Sequence, residues 1–194
     1  ELKKTGFDAL VIKGRSKSPT LLSIHNSKVE FLDASTLIGA TTSQTESAIK
    51  SSLGASTRVA CIGPAGENLV RFASISSDGG RQAGRCGLGA VMGSKNLKAV
   101  ALKGTEKIPI MNSDWLNNTG RELTRRSLGP ATEKYRTLGT IANVSVFNRL
   151  ETLPTLNFQK SSFDEAEGIT GEHLNQSHKV NTAHCANCTI GCEK

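Results

Sequence analysis

Residues 81–98 read RQAGRCGLGAVMGSKNLK, and LKAVALKG (97–104) continues them as a strand closed by Gly104. The stretch is glycine-dense, carries Arg81, Arg85, Lys95 and Lys98, and holds no acidic residue. Small residues let backbone N–H groups approach a ligand, and cations hold an anion there. Arg81 and Arg85 can each grip a pair of phosphate oxygens in fork geometry. Three phosphate-loop templates fail, however. Gly87, Gly89 and Gly93 are spaced G-x-G-x-x-x-G, one residue longer than a dinucleotide fingerprint, with no clear strand before them. Gly93-Ser94-Lys95 is not the Gly-Lys-Ser/Thr of a Walker A loop. A kinase loop lacks its companion signatures. Gly87 to Asn96 is expected to form a short helix. Spacing alone leaves open whether its glycines approach a ligand or let the helix pack closely on a sheet.

Working outward toward the N-terminus, Ser77-Asp78-Gly79-Gly80 is a turn, and LVRFASIS (69–76) reads as a strand from the alternation of Val70 and Phe72. Gly63 to Asn68 is a turn with two glycines, and Val59 to Ile62 is a buried strand. Ser43 with Glu46 has the capping-box pattern and opens a helix ending at Leu53, with Gly54 at its C-terminal cap. TLLSIH (20–25) and KVEFLD (28–33), joined by Asn26-Ser27, form a β-hairpin. FDALVIK (7–13) reads as a buried strand stopped by Gly14.

Toward the C-terminus the composition changes. Pro109 marks a boundary, and Ser113 or Asp114 caps a helix through Leu128, stopped by Gly129-Pro130. Helices follow over 131–138 and 140–150, then a polar loop, then short helical pieces near 163–167 and 171–178. The expected fold is α+β: a β-rich part over residues 1–107, then a mostly helical part over 108–194.

The formal net charge of +7 permits an anionic partner, but only 4% of residues are aromatic, which argues against stacking on single-stranded nucleic acid. No apolar run approaches the roughly 20 residues of a membrane span, and ELKKTG at the start has no apolar signal core. The chain opens on Glu1 and closes just after a cysteine cluster, so it reads as a piece of a longer protein.

That cluster is CANCTIGC (185–192), a C-x2-C-x3-C arrangement. It reverses the radical-SAM order. Three clustered thiolates favour zinc or an iron–sulfur centre in a reducing compartment over a disulfide framework. His184 and His178 are nearby candidates for a fourth zinc ligand. Cys61, in a strand, reads as a small core residue.

Taken together, CIGPAGENLVRFASI (61–75), RQAGRCGLGAVMGSKNLKAVALKG (81–104) and CANCTIGC (185–192) resemble the aldehyde ferredoxin oxidoreductase family of tungsten enzymes. The resemblance covers essentially the whole chain. It implies that residues 1–107 are the C-terminal portion of a β-rich pterin-binding domain, and that 108–194 begin a helical domain carrying cluster cysteines. It implies a tungstopterin cofactor (tungsten with two pterins, with magnesium bridging their phosphates) and a [4Fe–4S] cluster. The pterin-contacting loop then maps onto Arg81, Gln82, Gly84 and Arg85, and the cluster ligands onto Cys185, Cys188 and Cys192. Gln82 occupies a position that is usually small in the family, where a backbone carbonyl on magnesium would still serve. Cys86 stands where glycine is common.

The implied reaction is aldehyde plus water to carboxylic acid, with electrons leaving singly through the cluster to ferredoxin. The implied partners are ferredoxin and an aldehyde, with a homodimer or association with electron-transfer subunits as the assembly. Nucleic acid and membrane are not expected partners, and the expected location is cytoplasmic. The fourth cluster cysteine and all catalytic residues are expected outside this chain, which alone is not expected to catalyse. Two rivals stand beside this reading. One is a related tungsten enzyme subunit that reduces an aromatic acyl-CoA, and the other is a zinc-stapled anion-binding module without catalysis.

Overall fold

The computed structural model describes residues 1–178 and 181–193, which divide into two compact units, Glu1–Pro109 and Ile110–Lys194. The fold is α+β, with a β-rich first unit and a helical second one.

The first unit is built on a six-stranded sheet in the order β2-β1-β6-β3-β4-β5. Strands β1 (Thr20–His25) and β2 (Lys28–Asp33) form the expected hairpin, with Asn26 in the left-handed conformation that its turn requires. β6 (Leu97–Lys103) lies inside the sheet, parallel to β1 and antiparallel to β3 (Arg58–Cys61). β4 (Ile75–Ser77) and β5 (Arg81–Ala83) form a short hairpin at the other end, so β5 is an edge strand.

Period-2 alternation divides the core into two faces. Leu21, Val59, Cys61, Ala99 and Ala101 share one cluster with Ile49 of α1 (Thr42–Leu53). Leu22, Ile24 and Leu97 share the other with Ile62 and with Met92 of α3 (Leu88–Ser94). Cys61 is a core residue as expected. Burial pushes its thiol up to about 11 against the opposing charge of Lys98, so it is a neutral packing group.

Several expectations are corrected. Residues 7–13 form no strand: Val11 is 81% exposed, and only Phe7 and Leu10 pack on the core. An apolar run without a neighbour to share its backbone hydrogen bonds stays irregular. Of the 69–76 segment only Ile75 and Ser76 are strand, as the start of β4. Leu69 turns left-handed after α2 (Pro64–Glu67), and Phe72 is 83% exposed. The capping box of α1 is Thr41 with Gln44, two residues before the expected pair. Gln44 reaches back to Thr41 N–H, which frees Glu46 for another role.

In the second unit, α4 (Ser113–Ser127) is capped by Asn112, whose side chain accepts from Trp115 N–H at 2.8 Å, rather than by Ser113 or Asp114. Arg136 on α5 (Glu133–Thr137) donates to Leu128 O and Gly129 O and closes the end of α4. α6 (Asn143–Arg149) is clasped to the segment before α7 (Gly171–Ser177) by paired hydrogen bonds between Asn148 and the Phe163 backbone. Among the described residues, no helix is long and apolar enough to cross a membrane.

Candidate functional site

The glycine stretch begins at the β4–β5 hairpin. Its turn places Asp78, Gly79 and Gly80 at positive φ, which explains the paired glycines. Glu46, from the middle of α1, anchors this turn by accepting from Gly79 N–H at 3.1 Å, while it also pairs with Lys50. Burial works to raise the Glu46 carboxyl. The hydrogen bonds from Lys50 and Gly79, with the charges of Lys50 and Arg58, outweigh burial and hold it below the ordinary range.

Gln82 secures the same hairpin from the strand side. Its amide oxygen accepts from Ser74 Oγ at 2.7 Å, and its NH2 donates to Ser76 Oγ at 2.9 Å and Gly80 O at 3.3 Å. The side chain is thereby committed to the protein, and what Gln82 can offer a ligand is its backbone on an edge strand. Arg81 is half-buried opposite Ser77.

Beyond β5 the chain opens. A Cβ on Gly84 would meet nothing closer than Gln82 Cβ at 4.0 Å, so space is left beside the backbone. Arg85 is exposed and makes no hydrogen bond or ion pair with any described residue. Cys86 is also exposed and sits at φ 63°, a left-handed conformation that glycine adopts without cost. A cysteine there carries about 1 kcal/mol of strain.

From Gly87 onward the same residue type does different work. A Cβ on Gly87 would lie 2.1 Å from Arg71 O, one on Gly89 2.5 Å from Ser74 O, and one on Gly93 2.0 Å from Gly66 O. These three glycines let α3 press against α2 and the 71–74 segment, and Gly89 N–H donates to Ala73 O at 2.9 Å. The helix covers Leu88–Ser94, shorter than the expected 87–96.

Both lysines of the stretch are engaged by the protein, Lys95 at the surface and Lys98 in the interior. Lys95 donates to Gly14 O at 3.1 Å. Lys98 is 1% exposed, pairs with Glu67, and donates to Ala40 O at 3.0 Å. The β1–β6 register passes from Thr20↔Leu97 to Leu21↔Ala99, so Lys98 sits at a bulge. Glu67 also accepts from Gly39 N–H. This buried pair ties β6, α2 and the loop before α1 together.

The second element is the cysteine loop. Ala183 and Glu193 form an antiparallel bridge that closes residues 183–193, and Cys188 N–H donates to Cys185 O at 3.0 Å. Thr140 N–H donates to Cys192 O at 3.1 Å, and Thr189 Oγ1 lies 2.6 Å from Ser127 Oγ at the end of α4. All three thiols are free, with Cys185 exposed and Cys188 and Cys192 half-buried. His184 Nδ1 is 3.0 Å from Cys188 O, and its ring fills the space that a Cβ on Gly191 would need. His184 thus braces the loop. Among the described residues, no three His, Cys, Asp or Glu side chains converge into a metal-holding group. The donor set suits a soft metal centre, and the loop presents it without drawing the three thiols to one point.

Charge separates the two units. Residues 1–109 hold fifteen Lys and Arg against eight Asp and Glu, whereas 110–194 hold nine of each, so the whole excess lies on the unit with the glycine stretch. Sequence patterning did not mark Glu46, Ser74 or Ser76 as supports of the hairpin, since each acts through a contact distant along the chain or fixed by strand register.

The glycine stretch and the cysteine loop each lie within residues matched by a known family. The family model described as aldehyde ferredoxin oxidoreductase, N-terminal domain, matches residues 1–104, and that for domains 2 and 3 of the same family matches 119–194. The tungsten-containing aldehyde ferredoxin oxidoreductase of Thermococcus kodakarensis is 41% identical over 198 residues, covering 99% of this chain and 32% of that protein. Its counterpart in Pyrococcus furiosus is 39% identical with the same coverage. The WOR-like subunit of an aliphatic sulfonate oxidoreductase from Pyrococcus furiosus is 34% identical over 182 residues, 86% of this chain and 29% of that protein. Among solved structures, the active-site complex BamBC of benzoyl coenzyme A reductase with 1,5-dienoyl-CoA matches with a TM-score of 0.73 at 28% identity, covering 99% of this chain and 31% of that one. The chain spans about a third of the length of the curated relatives it matches.

Proposed function

This chain belongs to the aldehyde ferredoxin oxidoreductase family, and from that premise we propose that it supplies one wall of a tungstopterin site and three ligands of a [4Fe–4S] cluster. The whole protein would oxidise aldehydes to carboxylic acids, with ferredoxin as electron acceptor. Arg85 and Arg81 would neutralise pterin phosphate, Gly84 would leave room for it, and the backbone of Gln82 would hold a magnesium ion. Cys185, Cys188 and Cys192 hold the cluster. When bound, the pterin-held metal supplies the two-electron redox centre. This chain's own residues bind its phosphates and position them against a rigid sheet edge.

The observation that carries the reading is the pairing of a free guanidinium, Arg85, with the open backbone at Gly84 on a hairpin held firm from behind by Glu46 and Gln82. Its test is Arg85→Ala in the full-length protein, purified without oxygen. Tungsten content should fall about tenfold, the worth of one charge-assisted contact, while iron stays near four per chain. Unchanged tungsten would remove the loop assignment. Stoichiometric zinc without pterin would remove the whole reading.

Reduction of an aromatic acyl-CoA is a second reading, supported by the structural likeness to the benzoyl-CoA reductase complex. Assays of the full-length protein with an aldehyde and with benzoyl-CoA separate the two.

A further inference from the structure

A single free guanidinium is a weak grip on a doubly charged phosphate. Of the other cations in the glycine stretch, Arg81 is half-buried, Lys95 donates to Gly14 O and Lys98 is buried against Glu67, so a second fully exposed guanidinium has to come from elsewhere. The fold supplies one from outside the stretch. Arg71 is exposed and, like Arg85, makes no hydrogen bond or ion pair with any described residue. Its backbone touches that of Gly87, whose added Cβ would lie 2.1 Å from Arg71 O. The Gly89 N–H···Ala73 O bond of 2.9 Å fixes the two segments in register. Arg85 is two residues before Gly87, a span of at most about 7 Å, so two long, exposed side chains start from backbone points close together in space. Two unpaired cations so placed repel each other. An anion between them relieves that repulsion and accepts a fork from each.

We propose that Arg71 and Arg85 form one two-guanidinium clamp for a phosphate group, with Arg71 as the arm that lies outside the glycine stretch. The clamp rests on the reading of residues 81–85 as a pterin-phosphate loop, and its test separates the two claims. Full-length protein is purified without oxygen as wild type, Arg71→Gln, Arg71→Lys and Arg85→Gln, and the tungsten-to-iron ratio and thermal midpoint are measured for each. The clamp predicts a ratio about tenfold lower in both Gln variants, and a higher ratio in Arg71→Lys than in Arg71→Gln. A normal ratio in Arg71→Gln beside a lowered one in Arg85→Gln overturns the clamp and leaves the loop reading standing. Normal ratios in both overturn the loop reading and the clamp with it. A lowered thermal midpoint in Arg71→Gln with a normal ratio means that Arg71 pairs with a carboxylate elsewhere, and also overturns the clamp. If Arg71→Gln fails to fold, Arg71→Lys decides, because lysine cannot supply the fork: a ratio below wild type upholds the clamp, and a wild-type ratio overturns it.

Discussion

Residues 81–86 and 87–98 share one composition, yet the structure uses them in opposite ways. In the second half each of three glycines stands where a Cβ would strike a backbone atom within 2.5 Å, and both lysines are engaged by the protein, Lys95 by Gly14 O and Lys98 by Glu67. In the first half Gly84 faces open space, and Arg85 makes no hydrogen bond or ion pair with any described residue. Glycine content therefore does not distinguish a ligand loop from a packing device. The useful question is what a Cβ would meet. Close approach in 87–98 makes a rigid block of α2, α3 and β6, and that block fixes the place from which 81–86 projects.

If the second half is a packing device, damage there should appear as lost stability. Lys98→Met should cost most, about 3–5 kcal/mol, because it strands Glu67 in the interior. Urea denaturation of the cofactor-free protein measures this. The double variant Lys98→Met/Glu67→Leu should recover much of the loss, since a buried pair contributes little net stability over an apolar one. Gly93→Ala should follow at about 3 kcal/mol, since a Cβ 2.0 Å from Gly66 O forces α3 off α2. A loss below about 1 kcal/mol in the same denaturation would mean that the helix pair yields easily and that the comparison is drawn too sharply.

A smaller effect sharpens the first half. The Glu46 carboxyl is held below its ordinary value, so it stabilises the fold above the unfolded carboxylate range near 4.5. That contribution is lost as pH falls through the lower folded value. Glu46→Gln should therefore cost about 1 kcal/mol at pH 7, and the difference from wild type should vanish in acid. Urea midpoints of the two proteins between pH 7 and pH 3 give the answer, and a difference that persists at pH 3 would assign the effect to packing.

Much of this architecture is legible in residue patterns because local chemistry dictates it. The 20–33 hairpin follows from two alternating runs around Asn26-Ser27, and the 97–103 strand from a run buried on both faces. The helices after Pro109 follow from turn residues such as Gly129-Pro130 and Gly139. The misreadings share a cause. Residues 7–13 and 69–74 have strand-like composition, but a strand needs a neighbour, and pairing is decided at long range. Glu46 suits a capping box by spacing, yet its partner is Gly79, thirty-three residues away. Lys98 reads as one of four cations available to an anion, because a bulge that turns a side chain into the core leaves no local mark. Arg71 carries no local mark either, since only the contact at Gly87 brings its backbone to the loop.

The most direct test of the comparison is Gly84→Leu in the full-length protein, scored by the tungsten-to-iron ratio beside expression and iron content. Open space at Gly84 should let the leucine fold in at a cost within about 0.5 kcal/mol. The account predicts normal yield and iron with tungsten largely lost, because the side chain occupies the space meant for the phosphate. Normal tungsten in that variant would contradict it and show that residues 81–86 do not face the cofactor.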